Sequence, residues 1–162
     1  MIPHLQTLFS RELDALAREV RLYPDDESPW KPVPGCPNTG GNLTSHLVGN
    51  LRHFIGAQLG STGYVRNRDA EFSTRGGISR NELLTLIEAA RTDVSASLSA
   101  LDPSTLSRPH VAPGDRKIET GLWLMHLAVH LGYHLGQIDY HRRTATGDSS
   151  GVDALPLQPL VV

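Results

Sequence analysis

Four histidines lie within one stretch near the end of the chain, residues 118–143, and their spacing suggests metal chemistry. His126, His130 and His134 follow one another at intervals of four residues. Each interval of four turns the side chain by only about 40° around a helix, and the seven residues to His141 return to the same side. Imidazole is the side chain that most often binds divalent metals in proteins. The spacing therefore predicts one helix that presents a row of potential metal ligands.

Apolar residues flank this row, so we expect the histidine-bearing side of the predicted helix to face a core. The flanking residues are Leu122, Trp123, Leu127, Leu131, Leu135 and Ile138.

A second predicted helix, residues 42–59, carries polar side chains beside its own apolar face. His46, Asn50 and His53 recur there at intervals of four and three residues. Asn42 is the expected N-cap of this helix, because asparagine caps helices well. The two histidine-bearing helices are therefore the elements that would position a site.

A catalytic metal site of the zinc type uses three protein ligands and leaves one position open. The pairs His126/His130 and His130/His134 each place two imidazoles one turn apart, and His46 or His53 could supply the third ligand. Spacing alone does not choose among these alternatives. The competing interpretation is that the buried histidines only form hydrogen bonds.

Two further helices are predicted at residues 3–22 and 79–101, the latter opened by Ser79 and Glu82 as a capping box. No strand pattern competes. We therefore expect an all-α four-helix bundle that forms a single domain over residues 1–162. A long connection between the second and third helices would cross the bundle.

The remaining segments are expected to be connections. Residues 23–40 are rich in proline, and Trp30 and Cys36 suggest that this loop packs onto the bundle. Residues 102–117 form another connection, and residues 144–162 are expected to form an extended tail.

The composition limits the classes of partner. A formal net charge of −2 gives no electrostatic reason to bind nucleic acid or an anionic membrane, and no stretch is long and apolar enough to span a bilayer. Cys36 is the single cysteine, so no internal disulfide can form and a reducing cytoplasm is expected. The N-terminal residues lack the pattern of a signal peptide.

The connection at residues 61–78 is densely charged and long enough to suggest a function. A carboxylate beside a metal could act as a general base, and Glu71 or Asp69 is the first candidate. An arginine such as Arg66 or Arg68 could bind a carboxylate or thiolate of a substrate. The alternative interpretation is a loop held together by salt bridges.

The segments HLVGNLRHFIGAQLG and HLGYHLGQIDYHRR resemble the DinB-like (damage-inducible) superfamily of four-helix proteins. The segment GSTGYVRNRDAEF is similar to a motif of a small uncharacterised bacterial branch of that superfamily. The resemblance covers nearly the whole chain. It implies an up-down-down-up bundle, a homodimer, and a divalent metal, zinc or nickel, bound by His46, His130 and His134.

The activity implied by the resemblance is that of a thiol-dependent S-transferase using a low-molecular-weight thiol such as bacillithiol or mycothiol. A hydrolase acting on a small molecule is the next expectation. The alternative is a non-catalytic metal-binding or dimerisation module of a bacterial stress-response type. No nucleic acid or membrane partner is expected.

Several residues depart from the resemblance or remain to be placed. His126 and His53 are additional histidines that could support the ligands, replace one of them, or only pack. Asn50 and Arg68 are expected to lie near the metal ligands. Gln137 is interpreted as a buried amide that fixes helix register.

Overall fold

The computed structural model describes residues 1–161, which are mostly helical. The elements in chain order are α1 (Ile2–Leu22), α2 (Gly40–Leu51), a π-helical segment (Arg52–Ala57), α3 (Gln58–Gly60), α4 (Arg68–Ser73), α5 (Arg80–Ala100), β1 (Pro109–Ala112), β2 (Arg116–Glu119) and α6 (Thr120–Thr146). Short 3-10 turns occur at Ser28–Trp30, Pro103–Ser107 and Gln158–Leu160.

The four long helices share one hydrophobic core. Helices α1 and α2 each pack against both α5 and α6. Residues such as Phe9, Leu16, Leu47, Ile87 and Leu131 are almost completely buried between them. The expectation of an essentially all-α fold is confirmed. Within residues 1–161, no helix combines the length and apolar character needed to cross a membrane.

A small β-hairpin precedes α6, and the prediction that no strand would form was wrong. Strands β1 and β2 pair antiparallel, with His110 opposite Ile118. The turn between them is possible because Gly114 and Asp115 both adopt positive φ angles. The last helix was predicted at residues 118–143. Because Ile118 belongs to β2, α6 begins at Thr120, and it continues to Thr146.

The start of α2 also differs from the prediction. Thr39 is the N-cap, and Asn42 lies at the third helical position, where the two residues form a reciprocal capping box. Gly40 and Gly41 form the first turn of α2, where neighbouring side chains leave no room for a Cβ. A Cβ on Gly40 would lie 2.0 Å from the Tyr23 hydroxyl oxygen.

The proline-rich loop packs onto the helices through Trp30, as expected. The indole is buried, and its N–H donates a hydrogen bond of 2.9 Å to the carbonyl of Ile78. Cys36 is exposed, so the expectation that it would pack was wrong.

The tail after α6 lies against the protein through its main chain. Arg18 donates to the carbonyls of Val152 and Asp153, and Arg143 donates to the carbonyl of Ser149. The predicted tail began at residue 144, but residues 144–146 are helical, and Val162 lies outside the described residues.

Candidate metal centre

Three histidines from two helices converge on one point. His46 comes from α2, and His130 and His134 lie one turn apart on α6. One nitrogen of each ring lies within 4.8 Å of the others, and the Nε2 atoms of His46 and His130 are 3.3 Å apart. Nitrogens bound tetrahedrally to one zinc ion would be about 3.4 Å apart. The donor set therefore fits a divalent ion after a small inward movement.

Hydrogen bonds orient two of the three rings. The Nδ1–H of His46 donates to Glu71 Oε2 over 3.0 Å, which leaves the Nε2 lone pair facing the other histidines. The Nδ1–H of His134 donates to Gln137 Oε1 over 2.6 Å, with the same consequence. Nδ1 of His130 is buried without a partner among the described residues. The first two contacts are of the kind that fixes the tautomer of metal-binding histidines.

The environment of His130 and His134 favours the neutral form of the imidazole, which is the form that binds a metal. Burial, reinforced by the neighbouring His134 and His46 rings, lowers the pKa of His130 to about 4. Burial also lowers the pKa of His134, although its bond to Gln137 opposes the shift.

Glu71 is held rigidly between His46 and Arg66. The Arg66 guanidinium makes two hydrogen bonds of 2.7 Å, one to each carboxylate oxygen. Burial alone would raise the pKa of Glu71, but the bonds from Arg66 and His46 together hold it below its usual value. Both carboxylate oxygens are therefore engaged, and Glu71 faces the back of the His46 ring.

Gly49 makes room for this carboxylate. A Cβ at Gly49 would lie 2.1 Å from Glu71 Oε1, so a larger residue would displace the ion pair. Sequence reasoning did not identify Gly49 or the pairing of Arg66 with Glu71. A glycine in the middle of a helix that also carries a candidate ligand was the available signal.

The additional histidines lie outside the converging set. His126 is exposed and stacks on Trp123, with 5.0 Å between ring centroids. His53 is half-buried, and its Nε2 accepts a hydrogen bond of 3.3 Å from Gln58. Asn50 is buried, and its Oδ1 has no partner among the described residues.

His141 points elsewhere than the centre. It is buried, and its ring nitrogens bond to the Tyr23 hydroxyl and the Lys31 carbonyl. Gln137 is exposed and bonds to His134 on its own helix, so its interpretation as a buried amide that fixes helix register was wrong.

The charged connection contributes Arg68 and Asp69 at the start of α4. Asp69 is exposed, and its carboxylate makes no hydrogen bond or ion pair within residues 1–161. The Arg68 guanidinium lies over the ring of Phe72, 5.1 Å from its centroid. Phe72 in turn packs against His46, with 4.7 Å between ring centroids. Arg68 is thus near the centre, and Asp69 is not shown to contact it.

A family model of the DinB superfamily matches residues 8–138, which is more than half of the chain. No curated protein and no solved structure matches the chain significantly. The matched range includes all three converging histidines together with Glu71 and Arg66.

Proposed function

The chain belongs to the DinB superfamily, and from this premise we propose that it is a divalent-metal-dependent enzyme acting on a small molecule. His46, His130 and His134 would hold the ion, with zinc or nickel as the candidates. Transfer of a low-molecular-weight thiol is the proposed reaction, and hydrolysis is the second candidate.

The observation that carries this proposal is the convergence of three imidazoles without a fourth protein ligand. Among residues 1–161, the candidate metal-binding group contains these three histidines alone. Catalytic zinc sites commonly use three protein ligands and keep a position open for water or substrate, whereas structural sites are closed by four. The geometry therefore supports catalysis over a purely structural ion.

The bound ion would supply Lewis-acid chemistry, lowering the pKa of a thiol or water toward neutrality. The residues of the chain have supporting tasks. Glu71, fixed by Arg66, orients His46 and strengthens it as a ligand, and Gln137 does the same for His134. Because both Glu71 oxygens are engaged, we propose that its main role is to position His46 rather than to accept a proton from substrate.

Metal content tests the site directly. Purified wild-type protein should contain close to one equivalent of zinc or nickel by inductively coupled plasma mass spectrometry, and His130→Ala should lose it. His126→Ala is the matched control, because His126 lies one turn away on the same helix but outside the converging set. Retention of metal by His130→Ala, or absence of metal even after reloading, would exclude this histidine site.

Activity is tested on the metal-loaded protein. Zinc-loaded and nickel-loaded samples would be incubated with thiols and electrophilic acceptors, and thiol consumption would be followed by mass spectrometry. Consumption that requires the metal and fails in His130→Ala supports transfer. Turnover of ester or amide substrates without thiol supports hydrolysis.

A second proposal concerns assembly, because one face of α6 is apolar and uncovered. Val129, Tyr133 and Tyr140 are 72%, 64% and 73% exposed there. We propose that this face forms a homodimer interface. We also propose that the four long helices of each subunit run up-down-down-up. Light scattering should give a dimer for wild type and a monomer for Tyr133→Glu. A dimer without turnover would favour the alternative of a non-catalytic binding or dimerisation module.

A further inference from the structure

A cavity of about 480 Å³ lies between the π-helical segment, the charged connection and the turn of the β-hairpin. We call it the hairpin cavity. Its walls include His53, Phe54, Gln58, Arg66 and Arg68, residues 111–115 of the hairpin form the opposite wall, and the cavity is open to solvent. The volume is within the range of small-molecule sites.

The hairpin cavity adjoins the metal centre through shared residues. Arg66 lines the cavity and also bonds to Glu71, the carboxylate that orients His46. Arg68 also lines the cavity, and its guanidinium lies over the ring of Phe72, which packs against the His46 ring. A ligand with one end at the histidines could therefore place its other end among these side chains.

The two arginines of the hairpin cavity differ in their charge balance. Arg66 is neutralised by its two bonds to Glu71. The Arg68 side chain is exposed, its guanidinium lies 5.1 Å from the centroid of the Phe72 ring, and it makes no hydrogen bond or ion pair in the part of the chain that the structure describes. The planar fork of a guanidinium is pre-organised, so less entropy is lost for each hydrogen bond that it forms with a planar anion.

We propose that Arg68 binds a carboxylate of the small-molecule substrate in the hairpin cavity; this substrate class rests on the proposed function of the metal centre. A single free guanidinium matches the single charge and the planar shape of a carboxylate, and it can donate two hydrogen bonds to it. Asp115 lines the hairpin side of the same cavity and disfavours a second negative charge. A phosphate dianion is therefore the poorer match.

The other side chains that line the hairpin cavity suit a short aliphatic segment of the ligand between its two ends. Phe54 and Val111 contribute apolar surface, and the Gln58 amide is hydrogen-bonded to His53. The π-helical segment adds one residue to the turn that carries His53 and Phe54, and such segments often occur at functional sites. Arg68 would thus determine specificity, while the histidines would act on the other end of the substrate.

Two thiols that differ only in their charged end test this proposal. Zinc-loaded, ¹⁵N-labelled protein would be titrated with 3-mercaptopropionate and, separately, with cysteamine, and amide chemical shifts would be followed by NMR. The carboxylate probe should bind about 10-fold more tightly than the ammonium probe, with shifts at residues 53–58 and 111–115. Arg68→Ala and Arg68→Gln should abolish the preference. Arg108→Ala, which removes an exposed arginine outside the cavity, should retain it.

Equal affinities, preference for cysteamine, shifts confined to other surfaces, or an unchanged preference in both Arg68 variants would overturn the assignment. The amide shifts do not require the metal, so they decide this question even if the protein fails to hold zinc. Loss of zinc with a preserved charge preference would refute the proposed metal chemistry and leave the carboxylate site standing.

Discussion

At the scale of single residues, the candidate metal centre depends on the hydrogen bonds that neighbouring side chains make to its histidines. Arg66 holds Glu71 with two bonds of 2.7 Å, and Glu71 holds His46 at 3.0 Å. A histidine that donates its second N–H to a carboxylate is fixed in one tautomer and is a better ligand. The carboxylate remains ionised because the guanidinium and the imidazole outweigh the effect of burial.

Glu71→Gln tests this positioning role. The amide cannot accept the same three charge-assisted bonds, two from Arg66 and one from His46, so zinc affinity should fall about 10- to 100-fold. Competition with a fluorescent chelator measures the change. Asp69→Asn is the control, because its carboxylate is exposed at the start of the same helix. Equal losses in the two variants would contradict a specific role for Glu71.

The ligand set was partly predictable from sequence. Helical spacing placed His126, His130 and His134 on one side of one helix but did not show which pair would face α2, and the resemblance selected the pair that converges. Glu71 was a candidate general base, because a carboxylate beside a metal can accept a proton. Its contact with His46 could not be predicted, because it depends on how the 61–78 connection folds back over α2.

His141 predicts a pH dependence of stability. Its Nε2–H donates 2.9 Å to the Lys31 carbonyl and its Nδ1 accepts 2.8 Å from the Tyr23 hydroxyl, so the buried ring is neutral. Burial lowers the pKa of His141, and the Lys31 bond opposes this. The unfolded chain, with a histidine pKa of about 6.5, then takes up the proton first. This contribution to stability is present above pH about 6.5 and is lost as pH falls through the folded-state pKa.

Urea unfolding at pH 8, 6 and 5, with chelator present, measures this effect. Wild type should lose about 1.4 kcal/mol per pH unit between the two pKa values through this group. His141→Gln can donate and accept similar bonds but does not titrate. The free energy of unfolding of the variant, measured relative to wild type at the same pH, should therefore increase as the pH falls. A difference that is constant with pH would contradict the assignment.

At the scale of elements, α2 is shaped by close approach more than by helix propensity. Gly41 lies against the ring of Trp30, where a Cβ would be 2.7 Å away, and Gly49 leaves space for Glu71. Glycine weakens a helix by roughly 0.5–1 kcal/mol relative to alanine. The weaker helix is compensated here by packing of the loop and of the buried ion pair against it.

Gly49→Ala should reveal that compensation. Despite the higher helix propensity of alanine, the new methyl group would meet Glu71 Oε1, and we expect a loss of about 1–3 kcal/mol in the free energy of unfolding. Urea denaturation measures it. Adding Glu71→Ala removes the atom that clashes, so the double variant should be less destabilised than the sum of the single changes. Strict additivity would show that the clash is absent.

The boundaries of the helices and strands show which elements could be predicted from sequence patterns alone. The helix opened by Ser79 was predicted closely, because its capping box is local and forms as expected. The hairpin was missed because PHVA and RKIE are short and lack a clear alternation of apolar residues. Its formation depends on two residues with positive φ at 114 and 115 and on packing against α6.

At the scale of the whole molecule, one buried arginine connects distant parts of the chain. Arg142 on α6 is fully buried and bonds to Glu19 on α1. It also donates to the carbonyls of Asp148 and Ser150 in the tail. The role of Arg142 could not be predicted from sequence patterns, because its partners lie far away in sequence or in the irregular tail.

Removing this arginine should destabilise the whole protein. Arg142→Met leaves Glu19 buried without its partner, and breaking a buried pair in this way costs about 3–5 kcal/mol. Arg143→Ala is the control: Arg143 is one-third exposed, and its pair with Asp139 should contribute at most about 1 kcal/mol. The double variant Glu19→Leu/Arg142→Met removes both charges and should recover much of the loss, as measured by urea unfolding. Without that recovery, the destabilisation would have to come from the released tail and not from the uncompensated carboxylate.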